Sequence, residues 1–548
     1  MPCRLYCYDE RMHRALLLSL FAATAWAQIS DISGERMRAH VKFLASDLLE
    51  GRGVGARGGD LASEYIATQF ALDGLKPAGD HGTYFQNFTL IGSTPQSASQ
   101  ITASGAGTNI AFQWLDDFVG VTFQQKPDVE FDADAVFVGH GIVAPEYHWD
   151  DYKGIDVRGK VVVLFTGEPP SSDPQFFTGE ALTYYGRWIY KYEEATRHGA
   201  IGALIIHTTP TASYGWNVVR ASWSKGDFAM KLAPGAPALG FAGWVTQEAG
   251  DRIAATLGKT SGEWLKMADT PGFRAQTLPL RFHIRAPAAI QEIQTRNVIG
   301  KVEGSDPQLK NEAVIFSAHW DHFGVGEPIH GDAIYNGAQD NATGCGILLE
   351  LARAWAALPQ KPRRSALFIS VSAEEAGLLG SEYYGQHPVI PAGKTALAIN
   401  YDSLPPNGRT RDVGARGSER TTAYSLVEEA ARRFQFTLSP DPKPLAGTYY
   451  RSDHFSFARV GIPAFSINAG EDLIGQPPGT GKKLSETYTE ARYHQPSDEY
   501  HEDWDFSGME LYGRFGFLIN LNAANVPKLP TWRAGDEFLA ARVASGVR

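Results

Sequence analysis

Three short stretches of this chain are apolar almost without a break, and each runs into ionisable residues. Residues 312–318 lead to His319, residues 365–371 lead to Glu374 and Glu375, and residues 395–401 lead to Asp402. Runs of this length and composition predict β-strands. Because they do not alternate with polar residues, both faces of those strands must be covered. Between the first two runs, Ile347, Leu348, Leu351, Ala352 and Trp355 recur at helical spacing within residues 341–358. Strand, helix, strand implies a parallel sheet clad by helices, and such sheets bind ligands outside the carboxyl ends of their strands. The expected fold class is therefore α/β, a mixed, largely parallel sheet flanked by helices, with three strand ends opening on one crevice.

The residues at those ends suit a metal centre. A cation such as zinc takes imidazole nitrogen and carboxylate oxygen, and a catalytic site leaves one position open for water. Two cations about 3.5 Å apart need a shared carboxylate and about two further ligands each. His319, Asp340, Glu375, Asp402 and His494 supply that count, one bridge and two pairs, and leave Glu374 as a candidate general base. Taken singly, each has an ordinary reading: Asp340 before Asn341 suits a helix N-cap, Glu374–Glu375 a solvated pair, and a histidine at a strand end a hydrogen-bonded structural group. Their joint occurrence with the small residues of 335–344 and 373–381, where backbone must approach a crowded centre, favours the metal reading.

Five segments carry a family resemblance: His319-Trp320-Asp321-His322, residues 336–341 (NGAQDN), residues 374–381 (EEAGLLGS), Asn400-Tyr401-Asp402, and residues 493–498 (YHQPSD). In this order they resemble metallopeptidase family 28, the di-zinc aminopeptidases of the zinc exopeptidase fold. Residues 43–52 and 74–79 extend the likeness toward the N-terminus. The resemblance implies two Zn2+ ions forming one bridged pair, with His319 and Asp402 on one, Glu375 and His494 on the other, and Asp340 between them. It further implies Glu374 as general base, Asp321 as the carboxylate that orients a ligand imidazole, and Tyr493 as a donor to the developing oxyanion. The segment containing Ser452, Asp453 and His454 is similar to a substrate-binding stretch of the family. The implied activity is hydrolysis of the N-terminal peptide bond of peptides. Carboxypeptidases and glutaminyl cyclases share the fold and similar ligands, and a non-catalytic receptor-like protein would be marked by lost ligands, of which none of the five is missing.

Residues 109–290 change character to short β runs and glycine turns. Residues 151–162 and His198-Gly199-Ala200 resemble a protease-associated domain, so the chain reads as peptidase (28–108), β-rich insert (109–290), peptidase with the metal site (291–535) and a C-terminal tail (536–548). His140, His148, His198 and His207 lie in the insert without ligand spacing and are read as structural.

Arg14, the apolar run 15–24 and Ala25-Trp26-Ala27 fit a signal peptide over residues 1–27, with Met12 as an alternative start. Cys3 and Cys7 would leave with it, Cys345 alone would remain, and no intrachain disulfide is expected. The run is short for a membrane span, so an exported, soluble periplasmic or extracellular protein without stable membrane insertion is expected. Lys and Arg number 50 against 61 Asp and Glu, and with no basic tract this excludes a nucleic-acid partner. The sequence sets no oligomeric state.

Overall fold

A computed structural model of the chain describes residues 29–547 apart from 97–98, 106, 213 and 225; the expected signal peptide lies outside the described residues. The chain divides into two compact units. Of the described residues, the first takes 29–88, 294–441 and 451–547, and the second takes those within 89–293 and 442–450.

The first unit is built on a mixed sheet whose central strands are the runs read from sequence. Ser365–Val371, Ala313–His319, Thr395–Tyr401 and Ala464–Ala469 lie side by side and parallel. Antiparallel partners flank them: the end of the long strand Gln276–Val302 beside Ser365–Val371, and Asp412–Arg416 beside Ala464–Ala469. Every residue of the first three central strands is buried, in keeping with their nearly continuous apolar character. Helix Thr343–Ala356 carries the predicted periodicity yet is buried almost all round. It packs between the sheet and the helices Gly34–Leu44, Arg57–Leu72 and Ser507–Ala523.

The second unit has its own sheet, in which Phe241–Val245, Gly202–Ile206, Val161–Phe165 and Asp128–Phe137 run parallel. Alternation along Val161–Phe165 sends Val161, Val163 and Phe165 into one core and Val162 and Leu164 into the other, so both faces are covered. The unit begins some twenty residues before the expected 109. The reason is that Gln100–Gly105 and Thr108–Phe112 pair with each other, and the former pairs with residues 281–285, burying Ile101, Ala103, Ile110 and Phe112 in this unit's core. Residues 442–450, expected in the peptidase, also belong here; the Leu182 N–H donates to the Pro444 carbonyl at 3.3 Å. Three of the four histidines read from the sequence as structural make contacts within the unit: His140 pairs with Asp269 at 2.8 Å, His198 stacks on Tyr152, and His207 faces the Tyr214 carbonyl at 3.0 Å.

The expected C-terminal tail is described through residue 547. It forms helix Leu539–Ala544, and the buried Arg542 guanidinium donates to the carbonyls of Thr395 and Pro530, tying the C-terminus to the start of a central strand. Cys345 is buried in helix Thr343–Ala356, and no helix among the described residues is long and apolar enough to cross a membrane.

Candidate metal centre

The strand ends deliver the donors. His319 closes Ala313–His319, Asp402 follows Thr395–Tyr401, and Glu374 and Glu375 follow Ser365–Val371 by three and four residues. Asp340 sits in the turn that enters helix Thr343–Ala356. It does not cap that helix. The N-cap position is Ala342; Asn341 Oδ1 accepts the Gly344 N–H at 2.9 Å and the Ser403 N–H at 3.1 Å, and the Asp340 carboxylate is left for the crevice. His494 stands in the loop after helix Thr480–Ala491.

The loops are clamped from behind. The buried Arg52 guanidinium donates to the carbonyls of Leu44, Trp320, Asn336 and Gly337 at 2.5–2.8 Å. The Asp498 carboxylate accepts the N–H groups of Gln339 and Asp340, each at 3.0 Å. At Gly337, φ is +58° and an added Cβ would lie 2.3 Å from the Asp340 carbonyl oxygen, so only glycine fits the turn. Three non-glycine residues at the centre, Ala373, Ser403 and His494, also hold φ between +53° and +59°. Such conformations cost of order 1–3 kcal/mol each and persist where surrounding structure enforces them.

The donor atoms form two groups joined at Asp340. His319 Nε2 lies 3.3 Å from Asp340 Oδ1 and 3.3 Å from Asp402 Oδ1. His494 Nε2 lies 3.4 Å from Asp340 Oδ2 and 3.3 Å from Glu375 Oε2. Two ligands about 2.0–2.1 Å from a tetrahedral ion are separated by about 3.3–3.4 Å, so each group has the spacing of donors around a shared cation. His494 Nε2 is buried and has no hydrogen-bond partner, as expected for a nitrogen aimed at an ion. The residues present therefore fit a pair of metal ions.

Electrostatics point the same way. Burial raises the Glu374 carboxyl well above the usual range; His319 opposes this, and Asp402, Asp453 and Asp340 add to it. Burial likewise raises Glu375, reinforced by Asp340 and Glu374. Burial also works against an ionised Asp340 and a protonated His319. For each the facing opposite charges win, holding Asp340 well below and His319 well above their ordinary values. Four carboxylates, Asp340, Glu374, Glu375 and Asp402, crowd the imidazoles of His319, His322 and His494 here, a concentration of acidic donors that divalent cations would neutralise.

The remaining expected residues are placed as follows. Asp321 supports the centre in two ways: its carbonyl oxygen faces His319 Nδ1 at 3.1 Å, and its carboxylate accepts the N–H of Glu374 at 3.2 Å and of Glu375 at 3.4 Å. Tyr493 stacks on His494 with ring centroids 3.7 Å apart and is 42% exposed. Ser452, expected to meet substrate, is buried and donates to Asp402 Oδ2 at 2.5 Å while accepting from Asn400 Nδ2 at 2.8 Å. Asp453 and His454 are buried too, so this segment backs the centre instead of lining an open pocket. Burial pushes Asp453 up to about 7.

Sequence reasoning assigned no role to Arg52, Asp498 or His322. His322 lies in the quoted histidine segment, but three positions after a donor-bearing strand nothing local shows which way a ring turns. In the structure its Nδ1 lies 2.6 Å from Glu375 Oε1, and His322, Asp340 and Glu375 form a further group able to hold an ion. Burial pushes the His322 imidazole well below the ordinary histidine range.

This arrangement of donors at the carboxyl ends of a parallel sheet defines a metal-centre protein of α/β class. Residues 297–509 match the model of peptidase family M28. A probable leucine aminopeptidase 2 of Aspergillus fumigatus is 28% identical over 246 residues, 43% of this chain and 44% of its own length. A probable glutamate carboxypeptidase of Arabidopsis thaliana is 25% identical over 356 residues, 62% of this chain and 47% of its own. The chain thus matches less than half the length of these curated relatives. Among solved structures, an aminopeptidase from Aneurinibacillus sp. strain AM-1 aligns with a TM-score of 0.50 at 20% identity, over 91% of this chain and 96% of that one, showing a shared fold.

Proposed function

We propose that the protein is a metallo-aminopeptidase that uses two zinc ions to hydrolyse the N-terminal peptide bond of peptides. The observation that carries this is Asp340, whose two oxygens face separate donor pairs, His319 with Asp402 and His494 with Glu375. Imidazole and carboxylate donors at tetrahedral spacing suit Zn2+. Bound there, a metal pair would lower the pKa of a water and polarise the scissile carbonyl.

The chain's own residues supply the rest. Glu374, half-buried and with Oε2 4.0 Å from His319 Nε2, accepts the proton of the attacking water and passes it to the leaving amine. Its raised proton affinity suits a group that must both take and return a proton near neutral pH. Asp321 fixes the backbone of Glu374 and Glu375. Tyr493, with its ring packed on His494, offers a phenol to the oxyanion that forms as water adds. Export through the apolar segment at residues 15–24 completes the reading.

A second reading, carboxypeptidase, is favoured by the likeness to the probable glutamate carboxypeptidase. Purified protein assayed against aminoacyl-4-nitroanilides and N-blocked peptides, with a metal count, separates the two. Release of N-terminal residues with about two zinc per chain is expected. Cleavage of blocked peptides at the C-terminal bond would move the assignment to carboxypeptidase.

A further inference from the structure

Glu375 has two oxygens with different surroundings. Oε2 lies 3.3 Å from His494 Nε2, inside the donor group, while Oε1 lies 2.6 Å from Nδ1 of the buried His322. A carboxylate acting as a ligand carries no proton, so the hydrogen of that contact belongs to His322 Nδ1. With Nδ1–H donating, Oε1 is occupied and Glu375 can present only Oε2 to an ion. The His322 ring has no freedom to leave: an added Cβ at Gly337 would sit 2.5 Å from its Cγ, and Phe323 packs edge-on against it at 4.9 Å.

We infer that His322 is a positioning residue that locks Glu375 into one-oxygen ligation and thereby sets the metal affinity of the Glu375–His494 half of the centre alone. The His319–Asp402 half is held by other partners: Ser452 and Ser403 on Asp402, and the Asp321 carbonyl on His319. The two halves are therefore built to lose metal separately. Outer partners of this kind are worth about 10–100-fold in metal affinity.

The inference rests on the paired-metal part of the reading above, and its test does not depend on peptide cleavage. Full-length protein is loaded with Zn2+ and titrated with a chromophoric chelator, with bound zinc counted by native mass spectrometry. His322→Leu keeps the bulk and removes the donor; His322→Asn restores an N–H where Nδ1 stood. The expected result is that His322→Leu releases one zinc of the two about 10–100-fold more readily, while His322→Asn returns that ion to within a few-fold of wild type. Two ions held by His322→Leu as in wild type would overturn the inference. So would a His322→Asn variant as weak as the Leu variant, because the ring itself would then be the ligand, or a Leu variant that loses both ions together. Wild-type protein that holds two zinc ions but cleaves no peptide would sink the proposed function and leave this result standing. Wild-type protein that binds no Zn2+ would sink both.

Discussion

Arg52 offers the most direct check on how the centre is held. Its guanidinium is 1% exposed and reaches four backbone carbonyls: Leu44, Trp320 just past the ligand His319, and Asn336 and Gly337 just before Asp340. Arg52→Met keeps much of the volume and removes every donor. Hydrogen bonds to a charged group are worth about 1.5–3 kcal/mol each, so four amount to roughly 6–12 kcal/mol. Removing the charge returns the several kcal/mol that burying a cation costs, which leaves a net loss of about 3–5 kcal/mol. At about 2 °C per kcal/mol for a unit of this size, the melting temperature of the metal-bearing unit should fall by roughly 6–10 °C. Arg52→Lys retains the charge, but an ammonium has three donors and no planar fork, so an intermediate loss is expected. Calorimetry of the zinc-loaded full-length protein measures the shift, and zinc content after dialysis shows whether both loops have loosened. A melting temperature within 2 °C of wild type for the Met variant, with full zinc content, would refute the view that this arginine braces the centre.

Other outcomes follow from the same geometry. Glu374→Gln should retain both zinc ions and lose about 10^2–10^4-fold in kcat against an aminoacyl-4-nitroanilide; loss of metal instead would make Glu374 a ligand. Ser452→Ala withdraws the hydroxyl from Asp402 Oδ2 and should weaken one zinc about 10–100-fold, the ion opposite to the one governed by His322, as read by chelator titration. In the second unit, the buried Asp151 accepts from the Ile142 N–H and the Trp149 indole, and burial raises its pKa from 3.8 to about 6. A raised carboxyl contributes stability that is complete below pH 4 and is lost as pH rises through about 6. Lys191, lowered by burial from 10.5 to about 7, acts in a higher window, its contribution present above pH 10.5 and lost as pH falls through about 7. Asp151→Asn should therefore flatten the decline in stability of this unit between pH 4 and 6 and, by removing the negative charge that holds Lys191 up, extend the lysine's window to lower pH, as followed by denaturant unfolding at fixed pH values.

The parts of this protein that were legible in the sequence are those where one pattern serves one purpose. Strands 313–319, 365–371 and 395–401 are apolar almost throughout because both faces are covered, and that same pattern shows where each ends and which donor follows it. The edge of the second unit was harder to read because Gln100–Gly105 and Thr108–Phe112 alternate like any half-buried strand pair, and nothing local shows which sheet receives them. Supporting residues were harder still. Arg52 stands 267 positions before His319 and acts through main-chain carbonyls, which leave no trace in side-chain spacing. The expectation that Ser452 faces substrate comes from the resemblance of its segment to a substrate-binding stretch of the family; burial turns the side chain inward onto Asp402.

The donors meet because of strand register, and the register has a visible cause. His319 pairs level with Val371, and Ser317 with Asn400, so two residues further on Asp402 stands level with His319. Side chains alternate along a strand, so a slip of one residue in Thr395–Tyr401 would turn Asp402 to the opposite face and break the His319–Asp402 pair. Apolar packing alone does not forbid such a slip, because these strands are apolar on both faces and either register buries them. Polar contacts inside the sheet do forbid it. Ser317 donates to Asn400 Oδ1 at 2.7 Å, Asn400 Nδ2 donates to Ser452 at 2.8 Å, and Ser452 donates to Asp402. Shifting the strand by one place would leave these buried groups unpaired, at about 1–3 kcal/mol each. A run of polar side chains within the apolar core therefore fixes the register, and the register in turn places the metal donors.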